Sequence, residues 1–244
     1  MKIRLYSDLH LEMRKHDGKK LVDKLTEDTN DVDVLVLAGD ITRGNFLHRT
    51  LGWFCDKYKQ VIYLSGNHER YGVAWEVMSG EIYKAKKSYS NLHILDCELA
   101  EIDGVRFLGA TLWYPKPTTN PLEPGMIWSD FQFIPGADPW IYQQNKRAVT
   151  FLNKELKKDD VVVTHMLPSY SCVAQQWLGE KTNCYYVCDI HDLIVEREPK
   201  YCLFGHTHTA QRLAINSTTL ICNPLGYDFA GEKSGFNPNL VIEI

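Results

Sequence analysis

The sequence predicts an α/β fold of two packed, mixed β-sheets with helices on the outside. Strand-like and helix-like segments alternate through the first half, which argues for parallel strands joined by crossover helices. The second half is rich in short strands and tight turns, which argues for antiparallel pairing. A third observation concerns what the fold carries: five short polar motifs each begin where an apolar, strand-like run stops. With 244 residues, 44% of them hydrophobic and 24% charged, the chain suits one α/β domain spanning 1–244.

Lys2 to Tyr6 reads as the first strand, followed by a helix near Lys19 to Thr26 and a strand over Val34 to Leu37. Phe46, Leu47, Leu51, Phe54 and Tyr58 recur at helical spacing and predict a second helix over that span. Val61 to Leu64 is a third strand, and a helix follows from about Val73 to Tyr89. Ile94 to Ile102 and Val105 to Leu112 read as a hairpin that turns at Asp103-Gly104. Trp113 to Pro139 is rich in Pro, Gly and aromatics without periodicity, so a loop insertion is expected around 113–140. Helical spacing resumes from Trp140 to Leu156. Strand Val161 to Val163, an irregular stretch from Leu167 to Val187 and helix Ile190 to Val195 follow. Four strands complete the chain: Tyr201 to Phe204, Gln211 to Ile215, Thr218 to Cys222 and Leu240 to Ile244, with a tight turn at Asn216-Ser217.

The motifs are Ser7-Asp8-Leu9-His10, Gly39-Asp40, Gly66-Asn67-His68-Glu69, Thr164-His165 and Gly205-His206-Thr207-His208. A buried strand that ends at Asp, Asn or His delivers that side chain to one edge of its sheet. Asp8 and His10 lie two apart, so on extended backbone both point the same way and can grip one cation. Asp40 has two carboxylate oxygens and can reach two cations, which an imidazole cannot. Asn67 offers a neutral amide oxygen, and His68 beside it can face a substrate. Glu69 reads as a support to this cluster or as a helix-start acid. His165 follows three valines, and His206 and His208 form an H-x-H pair suited to chelation. Each motif alone is also an ordinary turn or a structural histidine. All five together supply two Asp, one Asn and five His, enough for two divalent metals and one acid.

Composition narrows the partners. The formal net charge is -4, with 27 basic and 31 acidic residues spread along the chain, so extended nucleic acid finds no electrostatic footprint. A nucleotide stays possible, because bound metals would supply the positive field. No apolar stretch approaches the roughly 20 residues of a membrane span, and a strand-like start leaves no room for a signal peptide. The seven cysteines are odd in number and without C-x-x-C spacing, as for reduced thiols of a cytoplasmic protein. Cys184 and Cys188 are four apart, a weak metal signal. Oligomeric state leaves no mark in the sequence.

The five motifs, in this order, resemble the calcineurin-like metallophosphoesterase superfamily, whose pattern is D-x-H, G-D, G-N-H-[DE], H and G-H-x-H. The resemblance covers nearly the whole chain and implies a four-layer α/β/β/α sandwich. It implies that Asp8, His10 and His208 bind one metal, that Asn67, His165 and His206 bind another, and that Asp40 bridges. Mn is the first expectation for both ions, with Fe, Zn, Co or Ni as alternatives. The implied reaction is hydrolysis of a phosphodiester or phosphomonoester in a small molecule or nucleotide, with His68 protonating the departing alkoxide. Arg43 and Arg70 are candidate phosphate contacts. Arg43 sits three residues past Asp40, not four as in the Ser/Thr protein phosphatases, which argues against that branch. Asn223-Pro224-Leu225-Gly226-Tyr227 looks like the N-P-x-G-Y signature of small bacterial and phage-type members. The alternatives are the superfamily's nuclease branch, whose capping domain and basic surface are missing here, and a non-catalytic scaffold that has lost ligands. Specificity is expected in Trp113 to Trp140, where Trp113, Tyr114, Trp128, Phe131, Phe133 and Trp140 either stack a nucleobase, shield the metals or form a minicore under the loop. Tyr170 to Tyr186 is a second candidate rim.

Overall fold

A computed structural model describes residues 1–122, 124–227 and 231–244. The strands in chain order are β1 (Lys2–Tyr6), β2 (Val34–Ala38), β3 (Gln60–Leu64), β4 (Leu92–Ile94), β5 (Glu98–Ile102), β6 (Val105–Ala110), β7 (Val161–Thr164), β8 (Tyr201–Phe204), β9 (Gln211–Ile215), β10 (Thr218–Cys222) and β11 (Val241–Glu243). The helices are α1 (Lys19–Leu25), α2 (Leu47–Cys55), α3 (Trp75–Ser88), α4 (Ser129–Phe133), α5 (Ala137–Glu155) and α6 (His191–Arg197). One sheet has the order β11-β1-β2-β3-β4 and the other β5-β6-β7-β8-β10-β9. The first is parallel except where β11 joins β1. The second is parallel at its centre and antiparallel at both ends.

Side-chain alternation places the layers. On β2, Val34, Val36 and Ala38 enter the core between the sheets, where they join Ile3, Leu5, Val161, Val163 and Leu203. Leu35 and Leu37 point the other way, into a core with Val22 of α1, Leu51 and Phe54 of α2 and Met78 of α3. On the far side, Val162, Cys202 and Phe204 pack with Leu152 of α5 and Ile194 of α6. Strands buried on both faces explain the unbroken apolar runs. The result is the expected four-layer α/β/β/α sandwich.

One expected strand is two. The apolar pattern runs on through Leu95, yet Cys97 takes a left-handed conformation (φ 54°) and the chain changes sheets there. Leu92–Ile94 completes the first sheet beside β3, and Glu98–Ile102 opens the second. Leu95 N–H still donates to Tyr63 O at 2.8 Å, so the crossing stays tied to the first sheet. The segment expected as a loop around 113–140 holds α4 and the start of α5. No helix among the described residues is long and apolar enough to cross a membrane.

Candidate metal centre

The ends of β1, β2 and β3 in one sheet and of β7 and β8 in the other meet along a common edge, and all five motifs lie there. Asp8, His10, Asp40, His206 and His208 all have left-handed backbone, with φ between 45° and 69°. For such residues this costs about 1–2 kcal/mol each, and it persists only where the surroundings dictate it. Here they do. Asp8 N–H donates to Gly39 O and His10 N–H to Asp40 O, each at 3.0 Å. The Asp8 carboxylate accepts His206 N–H at 3.0 and 3.1 Å, joining the two sheets.

Glu69 braces the middle of the edge. Its buried carboxylate accepts the N–H groups of Asp40 (3.1 Å), Ile41 (2.9 Å) and Gly66 (2.8 Å). The glycine of the G-N-H-E motif is steric: a Cβ on Gly66 would strike Asp40 Oδ1 and stand 2.7 Å from His165 Nε2. Gly39 has φ 84°, and a Cβ there would collide with the His165 ring.

Three groups of donor atoms lie within 4.8 Å of one another: Asp8, His10 and His208; His10, Asp40 and His68; and Asp40, His165 and His206. The Nε2 atoms of His10 and His208 face each other at 3.1 Å. His165 Nε2 stands 3.1 Å from Asn67 Oδ1 and 3.4 Å from Asp40 Oδ2. His165 Nδ1–H donates to Ala38 O at 2.9 Å, which turns the Nε2 lone pair inward. His208 Nδ1–H donates likewise to Glu232 Oε2 at 2.8 Å. Asn67 Nδ2 donates to Tyr71 Oη (2.8 Å) and Asp130 Oδ1 (3.0 Å), so its amide oxygen also faces inward. His206 Nε2 is buried with no hydrogen-bond partner among the described residues. Acceptor atoms aimed at one another in a buried space fit cations between them.

Without cations, protons take their place. Burial opposes charge on His165, but Asp40 overrides it and lifts the imidazole to about 10. Burial is likewise overridden by Asp8 at His208, lifted to about 9. His206 keeps no such advantage: burial, reinforced by His165, pushes it down to about 3. Burial would raise Asp8, yet His208 beside it holds the carboxyl down at about 2.

His68 stands beside the two outer groups. Its N–H donates to Asp40 Oδ1 at 2.9 Å, its Nε2 lies 3.0 Å from Tyr227 Oη, and its Nδ1 is 3.7 Å from Glu12 Oε1. Glu12 Oε1 is also 3.8 Å from His10 Nδ1. Arg43 is exposed and lines the cavity in front of the cluster. Arg70 is not brought there. Its guanidinium lies between Trp75 and Trp140, at 4.5 and 4.6 Å from the ring centroids, because two indole faces outcompete an open site for a half-buried cation. Cys184 and Cys188 join no metal-ligand group among the described residues. Asp130, Tyr71, Glu12 and Glu232 carry no sequence signal of their own. Tyr227 could be found only through the N-P-x-G-Y tail.

The cavity holds about 740 Å³. The aromatic stretch divides between it and the interior. Trp113 and Tyr114 are buried in a small core with Ile141 and Tyr185, against which Phe131 and Trp140 pack. Trp128 and Phe133 line the cavity, as do Trp177 and Tyr186 of the second expected rim.

Comparison with known proteins agrees with this architecture. A protein of Acanthamoeba polyphaga mimivirus described as uncharacterized is 27% identical over 277 residues, covering 99% of this chain and 96% of that one. The phosphopantetheinyl hydrolase of Mycobacterium tuberculosis has a similar structure, with a TM-score of 0.71, 13% identity and coverage of 95% and 92%. A Thermus thermophilus protein, TT1561, gives a TM-score of 0.58 at 11% identity, covering 91% of this chain and 88% of that one. The sequence pattern of calcineurin-like phosphoesterases matches residues 1–210, a span that contains all five motifs. With the motifs in family order on a four-layer sandwich, the chain belongs to the calcineurin-like phosphoesterases, the metal-dependent hydrolases of phosphoesters.

Proposed function

We propose that the chain, as one catalytic domain, hydrolyses a small phosphodiester or phosphomonoester, nucleotides included, at a centre for two divalent metals. Asp8, His10 and His208 hold one ion, Asn67, His165 and His206 hold the other, and Asp40 is shared. The observation that carries this is the pairing of inward lone pairs: His10 against His208 and His165 against Asn67, each at 3.1 Å, with His206 Nε2 unpartnered among the described residues. Imidazole, carboxylate and amide donors suit Mn, our assignment, and also Fe, Zn, Co or Ni. Bound there, such ions lower the pKa of water and neutralise charge on phosphoryl oxygens.

The chain's own groups do the rest. Burial works against a charged His68, but Asp40 and Glu12 raise its pKa, which favours the protonated ring. His68 delivers that proton to the departing alkoxide, a contribution of about 10²–10⁴-fold. Asp40 Oδ1 holds the His68 backbone, and Tyr227 Oη faces Nε2, so backbone and ring are each held by one contact. Arg43 offers a cation to the phosphate from the cavity wall.

The test is hydrolysis of bis-p-nitrophenyl phosphate and p-nitrophenyl phosphate with Mn²⁺ or with EDTA, in wild type and Asp40→Ala. Mn-dependent cleavage that is lost in Asp40→Ala supports the proposal, and the preferred ester assigns diesterase or monoesterase. Cleavage that survives both EDTA and Asp40→Ala rejects it.

A further inference from the structure

The cavity has two kinds of wall. One is the polar cluster of Asp40, His68 and His206. The other is aromatic, pre-built and adjoins it: the Tyr186 ring lies 4.7 Å from that of His206, and Tyr71 lies 4.4 Å from His68 and 5.4 Å from Phe133. Trp128 stacks on Tyr185 with ring centroids 4.9 Å apart and planes at 23°, and it meets Tyr186 edge-on at 5.5 Å. Tyr185 is itself buried against Tyr114 and Phe131, so this wall is backed by core and keeps its shape without a ligand. Phe133 and Trp177 line the same cavity yet are 47% and 52% exposed. Large apolar rings left facing water around a concave site mark a surface meant to be covered.

Charge is distributed as unevenly. Arg43 is the single Lys or Arg among the described residues lining the cavity, whereas Glu180, at the turn that follows Trp177, adds a negative charge beside that ring. A polyanionic group placed beside Trp177 would meet the Glu180 carboxylate.

Resting on the phosphoester reading above, we infer that the substrate carries its negative charge on the scissile phosphate alone and that its leaving group is an uncharged, flat, aromatic or apolar moiety lodged among Trp128, Phe133, Trp177 and Tyr186. In the reaction, water gives its oxygen to phosphorus, the P–O bond to the alcohol breaks, and the alcohol leaves with the proton from His68, which one of the water's protons restores while the other stays with phosphate and solvent. Polyphosphates, and esters whose alcohol bears further phosphates, are poor substrates on this account.

The experiment compares naphthylmethyl phosphate with ethyl phosphate, each also as its methyl diester, on the Mn-loaded protein. The two alcohols have similar pKa values, so leaving-group reactivity cancels. The naphthylmethyl ester is expected to have the higher kcat/KM by about tenfold or more, as aromatic stacking provides elsewhere. That ratio falls toward one in Phe133→Ala and Trp177→Ala and is retained in Trp177→Phe. Naphthylmethyl diphosphate is expected to be at least about tenfold poorer than the monophosphate. A ratio near one, or a diphosphate turned over as fast, overturns the inference and leaves the phosphoesterase reading intact. Hydrolysis of none of these esters by metal-loaded protein instead counts against the phosphoesterase reading. The aromatic site is then decided by binding: naphthalenemethanol is expected to quench tryptophan fluorescence saturably, less tightly in Phe133→Ala, and absence of saturable quenching rejects it.

Discussion

Asp130 is the sharpest place to perturb the centre without touching a proposed ligand. Its buried carboxylate accepts from Tyr71 Oη at 2.6 Å, Tyr114 Oη at 2.9 Å and Asn67 Nδ2 at 3.0 Å. Asp130→Ala leaves two hydroxyls and an amide N–H without their acceptor. At about 1–3 kcal/mol for each group stranded in the interior, the gross loss is several kcal/mol. Burial already penalises this carboxylate, raising its pKa despite the three donors, so its removal returns part of that cost. A net destabilisation of roughly 2–4 kcal/mol follows. The effect on metal is more specific. With Asp130 gone, the Asn67 amide keeps only its bond to Tyr71 Oη, and a flip would offer N–H to His165 Nε2, capping the lone pair that an ion needs. Loss of such an orienting partner costs about 10–100-fold in metal affinity. Calorimetric titration of metal-free protein with Mn²⁺, beside urea unfolding, reads both quantities. Tyr114→Phe is the control: it removes one bond to Asp130 and about 1 kcal/mol but leaves Asn67 alone. A folded Asp130→Ala protein that binds Mn²⁺ within twofold of wild type would refute the orienting role.

Further outcomes follow from the same geometry. His68→Ala is expected to retain its metal content by elemental analysis while kcat falls about 10²–10⁴-fold; unchanged turnover removes His68 from the chemistry. In metal-free protein, His165 and His208 have pKa values raised to about 10 and about 9. Their contribution to stability is therefore complete below the unfolded-state value near 6.5 and is lost as pH rises toward 9–10. Urea midpoints of metal-free protein are expected to fall across that window, and Mn²⁺ binding at pH 7 is expected to release protons, seen as buffer-dependent heats; a flat midpoint and buffer-independent heats contradict this. Gly66→Ala forces a Cβ against Asp40 Oδ1 and His165 Nε2. It should cost about 1–3 kcal/mol and lower metal uptake in equilibrium dialysis; wild-type uptake would show that the close approach does not matter.

The parts of the molecule legible in the sequence are those fixed by local chemistry. The strands β1, β2, β3, β7 and β8 are apolar runs closed by a polar residue, and such a run has few other ways to be buried. Their ends carry Asp8, Asp40, Asn67, His165 and His206, so strand ends and proposed ligands come from the same signal. The chain's change of sheet at Cys97 was not legible. Ile94 and Leu95 continue the strand pattern without a Gly or Pro, and the break depends on Leu95 pairing with Tyr63 while Glu98 pairs with Gly109. Tertiary pairing overrode a pattern that reads as one strand. Arg70 illustrates the same limit at the site, since position after G-N-H-E says nothing of Trp140, seventy residues on, which captures it.

The aromatic loop shows why the rest of the site needed the structure. Tyr114 and Trp128 have the same kind of neighbours in sequence, but one is buried and the other lines the cavity. What separates them is Asp130, which lies on α4 and draws Tyr114 inward by one oxygen while holding Tyr71 and Asn67 by the other. Phe133, at the end of the same helix, then falls at the cavity mouth, with Tyr71 5.4 Å from its ring. One buried carboxylate thereby links a segment that lines the cavity to the amide of Asn67, a proposed metal ligand. Substitutions that repack α4 are accordingly expected to change metal affinity as well as leaving-group preference, whereas substitutions at Trp177, which lies outside α4, change preference alone.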